Sequence, residues 1–231
     1  MQNNPVALIL GCGPRLGASI AEKFVSEGYQ VAIVSRSGSE VNIEGILSLR
    51  ADFTNPNSIP DVFAAVKAEL YTSPSVVVYN AAALTRPPDE DSVLSISEES
   101  VRLDLNVNTI SPYIAAQNAV NGWKMLPADL KKTFIYTGNI LNVSVLPIPM
   151  MMNLGMGKSA AAYWIGLADL TYSAHGYRFF YADERHADGS NKGMELDGPA
   201  HGEFYALLTK HKGNIPWHAT FVEKQGYVNF Q

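Results

Sequence analysis

Apolar residues in this chain follow two alternating rhythms: short unbroken runs, and longer stretches at helical spacing. Val6–Leu10 is an unbroken run, as expected of a strand covered on both faces. Over residues 15–27 the period changes: Leu16, Ile20, Phe24 and Val25 recur at helical spacing, and Gly28 closes the helix. Residues 31–34 are a second buried run ending in Ser35-Arg36-Ser37-Gly38, and residues 41–46 read as a short helix or turn. Residues 47–49 are a third strand, followed by Ala51-Asp52-Phe53-Thr54. Asn57 or Ser58 caps a helix through Leu70, with Val62, Phe63, Val66 and Leu70 turned inward. Val76–Tyr79 is the fourth strand and runs into Asn80-Ala81-Ala82-Ala83.

The second half keeps the rhythm with longer interruptions. Residues 84–95, with Pro87 and Pro88, are a loop. A long helix covers about residues 97–125, kinked or broken by Pro112. Residues 134–137 are the fifth strand. Residues 139–153, with Pro147, Pro149 and three successive methionines, are an irregular apolar loop, and residues 157–173 are helical. Residues 178–182 are the sixth strand. Residues around 183–199 are polar and glycine-rich without period, which predicts a lid. A helix over 200–210 and a strand over 219–222 complete the chain.

Strand and helix thus alternate about six times. This predicts an α/β single domain over residues 1–231, a doubly wound parallel sheet of the Rossmann type. Ligands of such sheets lie at the carboxyl ends of the strands, by the switch point. Arg36, Asp52, Asn80 and Asn139 all fall just past strand ends. So does Gly11-Cys12-Gly13-Pro14-Arg15-Leu16-Gly17, a tight strand-to-helix turn whose helix N-terminus suits a phosphate.

Composition narrows the partners. Hydrophobic content of 47% and charged content of 17% are those of a globular chain. A net charge of −5 without a basic run argues against nucleic acid. No apolar run has the length of a membrane span. The first strand begins about five residues in, which leaves no room for a leader. The single cysteine, Cys12, excludes an internal disulfide and fits a reducing compartment, so the expected location is cytoplasmic. Glu184, His186 and Asp188 have no diagnostic ligand spacing, and no metal is expected.

These motifs, in this order, resemble those of the short-chain dehydrogenase/reductase family over nearly the whole length. Gly11, Gly13 and Gly17 match its first turn, with Arg15 where a middle glycine is usual. Asp52 resembles the acidic residue that meets the adenine edge. Asn80-Ala81-Ala82 resembles the turn after strand four. Asn108 resembles the asparagine that helps hold a proton-relay water, and Lys158 the active-site lysine. The resemblance implies a nicotinamide dinucleotide held by Gly11, Gly13, Arg15, Leu16, Gly17, Ser35, Arg36, Asp52, Phe53, Asn80, Ala81, Ala82 and Lys158. Where an NAD enzyme ends strand two with a carboxylate, this chain has Ser35-Arg36. That pair suits a 2′-phosphate, with Arg15 as a second cation, so NADP(H) is the expected cofactor. A homodimer or homotetramer is also implied, with Ala115, Ala116, Ala119, Ala160 and Ala161 allowing close approach.

The catalytic pattern departs from the family's. Four residues before Lys158, where the family has its tyrosine, stands Leu154, and the serine's place falls on Asn139. The candidate catalytic set is therefore Lys158, Asn108, Asn139, Tyr181 and Glu184, with Tyr181 and Glu184 (and His186 beside them) as substitute proton donors. The reading that follows is an NADP(H)-dependent oxidoreductase with an altered proton donor, acting on an apolar carbonyl, imine or activated alkene. The alternatives are a non-reductive isomerase or cyclase and a non-catalytic NADP-binding regulator.

Overall fold

Strands with no polar alternation must be covered on both faces, and helices cover both in the computed structural model, which describes residues 4–38 and 45–230. Chain order runs β1 (Val6–Leu10), α1 (Leu16–Ser26), β2 (Gln30–Ser35), β3 (Leu47–Arg50), α2 (Ser58–Leu70), β4 (Val76–Tyr79), α3 (Glu98–Leu105) and α4 (Ser111–Trp123). It continues with β5 (Lys132–Thr137), α5 (Met152–Tyr172), β6 (Tyr177–Glu184), α6 (Gly198–Leu208), β7 (His218–Val222) and β8 (Gly226–Tyr227). The strands make one sheet in the order β3-β2-β1-β4-β5-β6-β7-β8, parallel except for the edge pair β7–β8. Successive residues point to opposite faces. Leu8, Leu10, Tyr79, Phe134 and Tyr136 join the core under α2, α4 and α5, while Ala7, Ile9, Val78, Ile135 and Ala182 join the core under α1 and α6. Among the described residues, no helix is long and apolar enough to cross a membrane.

The expected long helix is interrupted by a π turn, Asn106–Ile110, immediately before Pro112. The cause is chemical. Pro112 has no N–H, so it bonds neither to Asn108 O in the α pattern nor to Val107 O in the π pattern. Ser111 N–H turns to Asn106 O. Two strand tyrosines satisfy the freed carbonyls: Tyr79 Oη donates to Val107 O (2.7 Å) and Tyr136 Oη to Asn108 O (2.8 Å). Tyr79, Tyr136 and Tyr181 are register partners on β4, β5 and β6 and stack with centroids 5.9 and 5.6 Å apart.

Two boundaries that bear on the site differ from the sequence reading. Helix α5 begins at Met152, because a turn at Pro149–Met151 leads straight into it. Its glycines do not break it: a Cβ at Gly157 would lie 2.4 Å from Asn108 Cβ, so this residue permits contact with the π turn. Strand β6 runs on through Glu184, held by pairing to β7, so Asp183 and Glu184 are buried and the loop expected to form a lid begins only at Arg185. Residues 41–44 of the expected short helix or turn lie outside the described residues. The alanines assigned to subunit contact are also corrected: Ala115, Ala116, Ala119 and Ala161 pack inward against the sheet, and only Ala160 is exposed.

Replacing Tyr136 by Phe removes the hydroxyl that caps Asn108 O while keeping the ring. The expected loss of unfolding free energy is about 1–3 kcal/mol, the cost of a buried carbonyl left unpaired. Urea denaturation measures it, and a loss below a few tenths would show that the cap contributes nothing.

Candidate functional site

The glycine turn after β1 fits only as glycine where backbone meets backbone. Gly11 has φ +96°, and a Cβ there would sit 2.4 Å from Ala81 N. Gly17 packs its Cα side against Cys12, whereas Gly13 faces open space. At the start of α1, Ala18 N–H closes back on Gly13 O (3.0 Å), and Leu16 and Gly17 border the same space. Asn80 ties the turn to β4, its Nδ2 donating to Gly11 O at 2.9 Å.

Beside the turn, Ser35, Arg36, Asp52, Phe53, Ala81 and Ala82 line a hollow of about 220 Å³. Asp52 Oδ1 accepts from Thr54 N–H, and Ser35 Oγ accepts from Gly38 N–H. Arg36 is exposed at its rim, while Phe53 is mostly core, its ring 5.6 Å from that of Tyr79. Arg15, expected to join Arg36, does not. It borders the opposite side of the turn, and its Nη2 donates to Met194 O of the lid at 2.9 Å. The physical reason is direction: the side chain leaves the turn toward Met194 in the loop before α6 and not toward the end of β2.

On that opposite side lies a cleft of about 510 Å³ between the glycine turn, the ends of β4 to β6 and the lid. A polar chain runs along its floor: Tyr205 Oη donates to Thr137 Oγ1, which donates to Asn80 Oδ1, each at 2.9 Å. Lys158 is buried on α5. Its Nζ donates to Thr137 O (2.7 Å) and lies 4.4 Å from the centre of the Tyr136 ring. Burial lowers its pKa to about 7, against the opposing pull of Asp183. Leu154 borders the cleft one turn earlier. Asn139 borders it too, with Oδ1 accepting from Leu141 N–H. Asn108 is fully engaged: its amide exchanges two hydrogen bonds with the Ala83 backbone, and its carbonyl takes the Tyr136 hydroxyl.

Tyr181 and Glu184 are placed differently from each other. Tyr181 is fully buried, and its hydroxyl accepts from Asn139 N–H and donates to Asn139 O. Burial raises its pKa well above the usual range, so as a proton donor to the cleft it is corrected: it braces the loop after β5. Glu184 borders the cleft, with Oε2 accepting from Asp197 N–H (2.8 Å). Its Oε1 makes no hydrogen bond within the described residues, although Lys192 Nζ is 3.5 Å away. Burial raises its pKa, partly offset by the Asp197 N–H and by Lys192. His186, on the lid, sits beside Glu195 instead. Thr137, Tyr205, Met194 and Leu196 were missed by sequence reasoning. Thr137 carried a signal as the last residue before Gly138 at a strand end, whereas Tyr205 joins the floor only through the packing of α6 on the sheet.

Comparison with known proteins gives this geometry a lineage. Residues 5–154 match the family model for short chain dehydrogenases. The chain is 36% identical over 239 aligned residues to the short chain dehydrogenase/reductase dmxR12 of Cryptosporiopsis sp. (strain 8999), covering 99% of this chain and 96% of that protein. Among solved structures it resembles a short-chain dehydrogenase from Streptomyces avermitilis (TM-score 0.77, 13% identity, 96% and 89% of the two chains covered). It also resembles a metagenomic short-chain oxidoreductase in complex with NADP (0.78, 16%, 94% and 96%). A third is the 3-ketoacyl-(acyl-carrier-protein) reductase from Brucella melitensis complexed with NADH (0.78, 16%, 96% and 98%). Such structural likenesses speak for the fold; the family model and the 36% relative go further, and the chain belongs to the short chain dehydrogenase family.

Proposed function

We propose that this protein is an NADP(H)-dependent oxidoreductase acting on an apolar carbonyl, imine or activated alkene, with Lys158 in place of a tyrosine as the proton-transfer group. The observation that carries the reading is Lys158, buried at the cleft one turn from Leu154, whose Nζ donates to Thr137 O and makes no other hydrogen bond among the described residues. The family binds nicotinamide cofactors, and the residues here fit one: Gly13 faces open space, and Leu16 and Gly17 at the start of α1 border the cleft that also holds Lys158. When bound, the nicotinamide supplies or accepts the hydride. Lys158 holds the proton beside the substrate heteroatom, and the Asn139 amide supplies a donor to polarise it.

The choice of NADP(H) rests on Arg36 and Ser35 at the rim of the smaller hollow, because structural neighbours include both NADP and NADH complexes. The apolar substrate class is supported by a second groove of about 630 Å³, lined by Val145, Ile148, Met152 and Met156. It meets the cleft at Leu141, Leu146 and Met151. Exposed Tyr113, Tyr163, Leu167 and Leu170 on α4 and α5 support a homo-oligomer. A cofactor-binding protein that does not reduce is the second reading, favoured by Leu154 at the tyrosine's place.

NADPH should bind about tenfold or more tightly than NADH, and Arg36→Asp should reverse the order; equal dissociation constants for the unaltered protein would refute the cofactor assignment. With a panel of aldehydes, ketones, quinones and imines, oxidation of NADPH followed by absorbance should be substrate-dependent. Lys158→Met should slow it about 10²–10⁴-fold, and Leu154→Tyr should raise it. Tight NADPH binding with no turnover across the panel would favour the second reading.

Lys158 also sets a pH dependence. Its folded pKa of about 7 lies below the ordinary 10.5, so the unfolded chain binds more protons between those values. The burial cost is fully present below pH 7 and vanishes as pH rises through 10.5. Lys158→Met should therefore raise the melting temperature of the cofactor-free protein most at pH 6 and least at pH 10. A pH-independent difference would mean that Lys158 is charged in the folded protein throughout.

A further inference from the structure

The loop after β6 owes its shape to its own hydrogen bonds, but those bonds do not fix where it stands. Arg185 and Asn191 pair as an isolated antiparallel bridge. Between them His186 N–H donates to Ser190 O and Gly189 N–H to His186 O. At the root, Arg185 is buried, with Nε donating to Asp183 Oδ2 (2.6 Å) and Nη1 to Gly189 O (2.9 Å). These contacts make residues 185–191 a short hairpin. Its tip is met from outside by Phe230. Gly189 has φ +83°, and a Cβ there would lie 2.9 Å from Phe230 Cδ1, so the ring rests against the backbone of the tip.

The sheet edge delivers Phe230 to that place. Strand β8 turns back on β7 with Tyr227 opposite Phe221. Val228 N–H donates to Thr220 O (3.1 Å), and Thr220 Oγ1 donates to Val228 O. The chain is thus held to β7 two residues before Phe230, whose own side chain is partly buried. On its other side the hairpin leads into Asn191, Gly193, Met194 and Leu196, which line the cleft. A tilt at Gly189 is therefore carried straight into that wall. We propose that Phe230 is a positioning residue for the cleft: packed on Gly189, it holds the loop after β6 in the place from which these four residues line the site. Without the ring the hairpin keeps its internal bonds but loses its outer stop, and a ligand must then order the wall as it binds.

Amide hydrogen exchange of the full chain, read by mass spectrometry, tests this without turnover. In Phe230→Ala, residues 186–196 should exchange about tenfold faster, while the strands and helices keep their protection. Phe230→Tyr retains the ring and should leave the loop within about twofold of the unaltered protein. A second arm rests on the reading of the cleft as a nicotinamide dinucleotide site. Saturating NADPH should bring the loop of Phe230→Ala back to within about twofold of the NADPH-bound unaltered protein, because the ligand binds the form with the loop in place. A loop that exchanges no faster in Phe230→Ala overturns the proposal. So does faster exchange along the whole chain, or a variant that does not fold, since either makes Phe230 a stability residue. Bound NADPH that leaves the variant's loop unprotected overturns it too, because the loop then takes no part in the site. If the unaltered protein binds no NADPH, the cofactor reading falls and the first arm alone decides this proposal.

Discussion

A missing backbone hydrogen organises the carboxyl edge of this sheet. Pro112 cannot donate to the turn before it, and the helix answers with a π turn whose carbonyls at Val107 and Asn108 are capped by Tyr79 and Tyr136. The neighbouring residues then act as ties. Asn106 Nδ2 donates to Thr54 O and Ser111 Oγ to Phe53 O, which fixes the loop carrying Asp52. Asn108 clamps Ala83, which fixes the loop carrying Asn80. Thr109 Oγ1 reaches Gly157 O, next to Lys158. One irregular turn thus sets the relative positions of groups from four separate elements, in keeping with the tendency of π turns to lie at functional sites.

The cleft pairs this tied wall with the loop that follows β6. The loop after β6 meets the glycine turn through Arg15 and Met194 O, and meets the sheet at Glu184 through Lys192 and Asp197 N–H. Lys158 and Glu184 reach the cleft from opposite faces of the sheet, one on α5 and the other beside α6.

The layered architecture was legible because its strands are covered on both faces and so read as unbroken apolar runs. Asp52, Asn80 and Lys158 were legible because each follows a strand end or matches a family motif. Tyr181 was misjudged because sequence gives a residue's distance from the strand end but not which face its side chain takes: its ring lies on the α5 face, under the loop it braces. Arg15 was misjudged for a similar reason, since nearness to Arg36 along the motif says nothing about direction. Glu184 was legible as a position but not as a buried one, because strand pairing to β7 extends β6 past its apolar run. The engagement of Asn108 by Tyr136 was invisible, as it depends on register between strands far apart in the chain.

The dependence of Tyr79 and Tyr136 on Pro112 also bears on how this fold drifts in evolution. A proline creates two hungry carbonyls, and two hydroxyls on neighbouring strands feed them. Losing the proline returns those carbonyls to the helix and removes the need for the hydroxyls; losing a hydroxyl while keeping the proline does not. Substitutions at 79 and 136 are therefore tolerated in one order and penalised in the other, so these three positions should co-vary asymmetrically among relatives: tyrosine without proline is permitted, proline without tyrosine is rare.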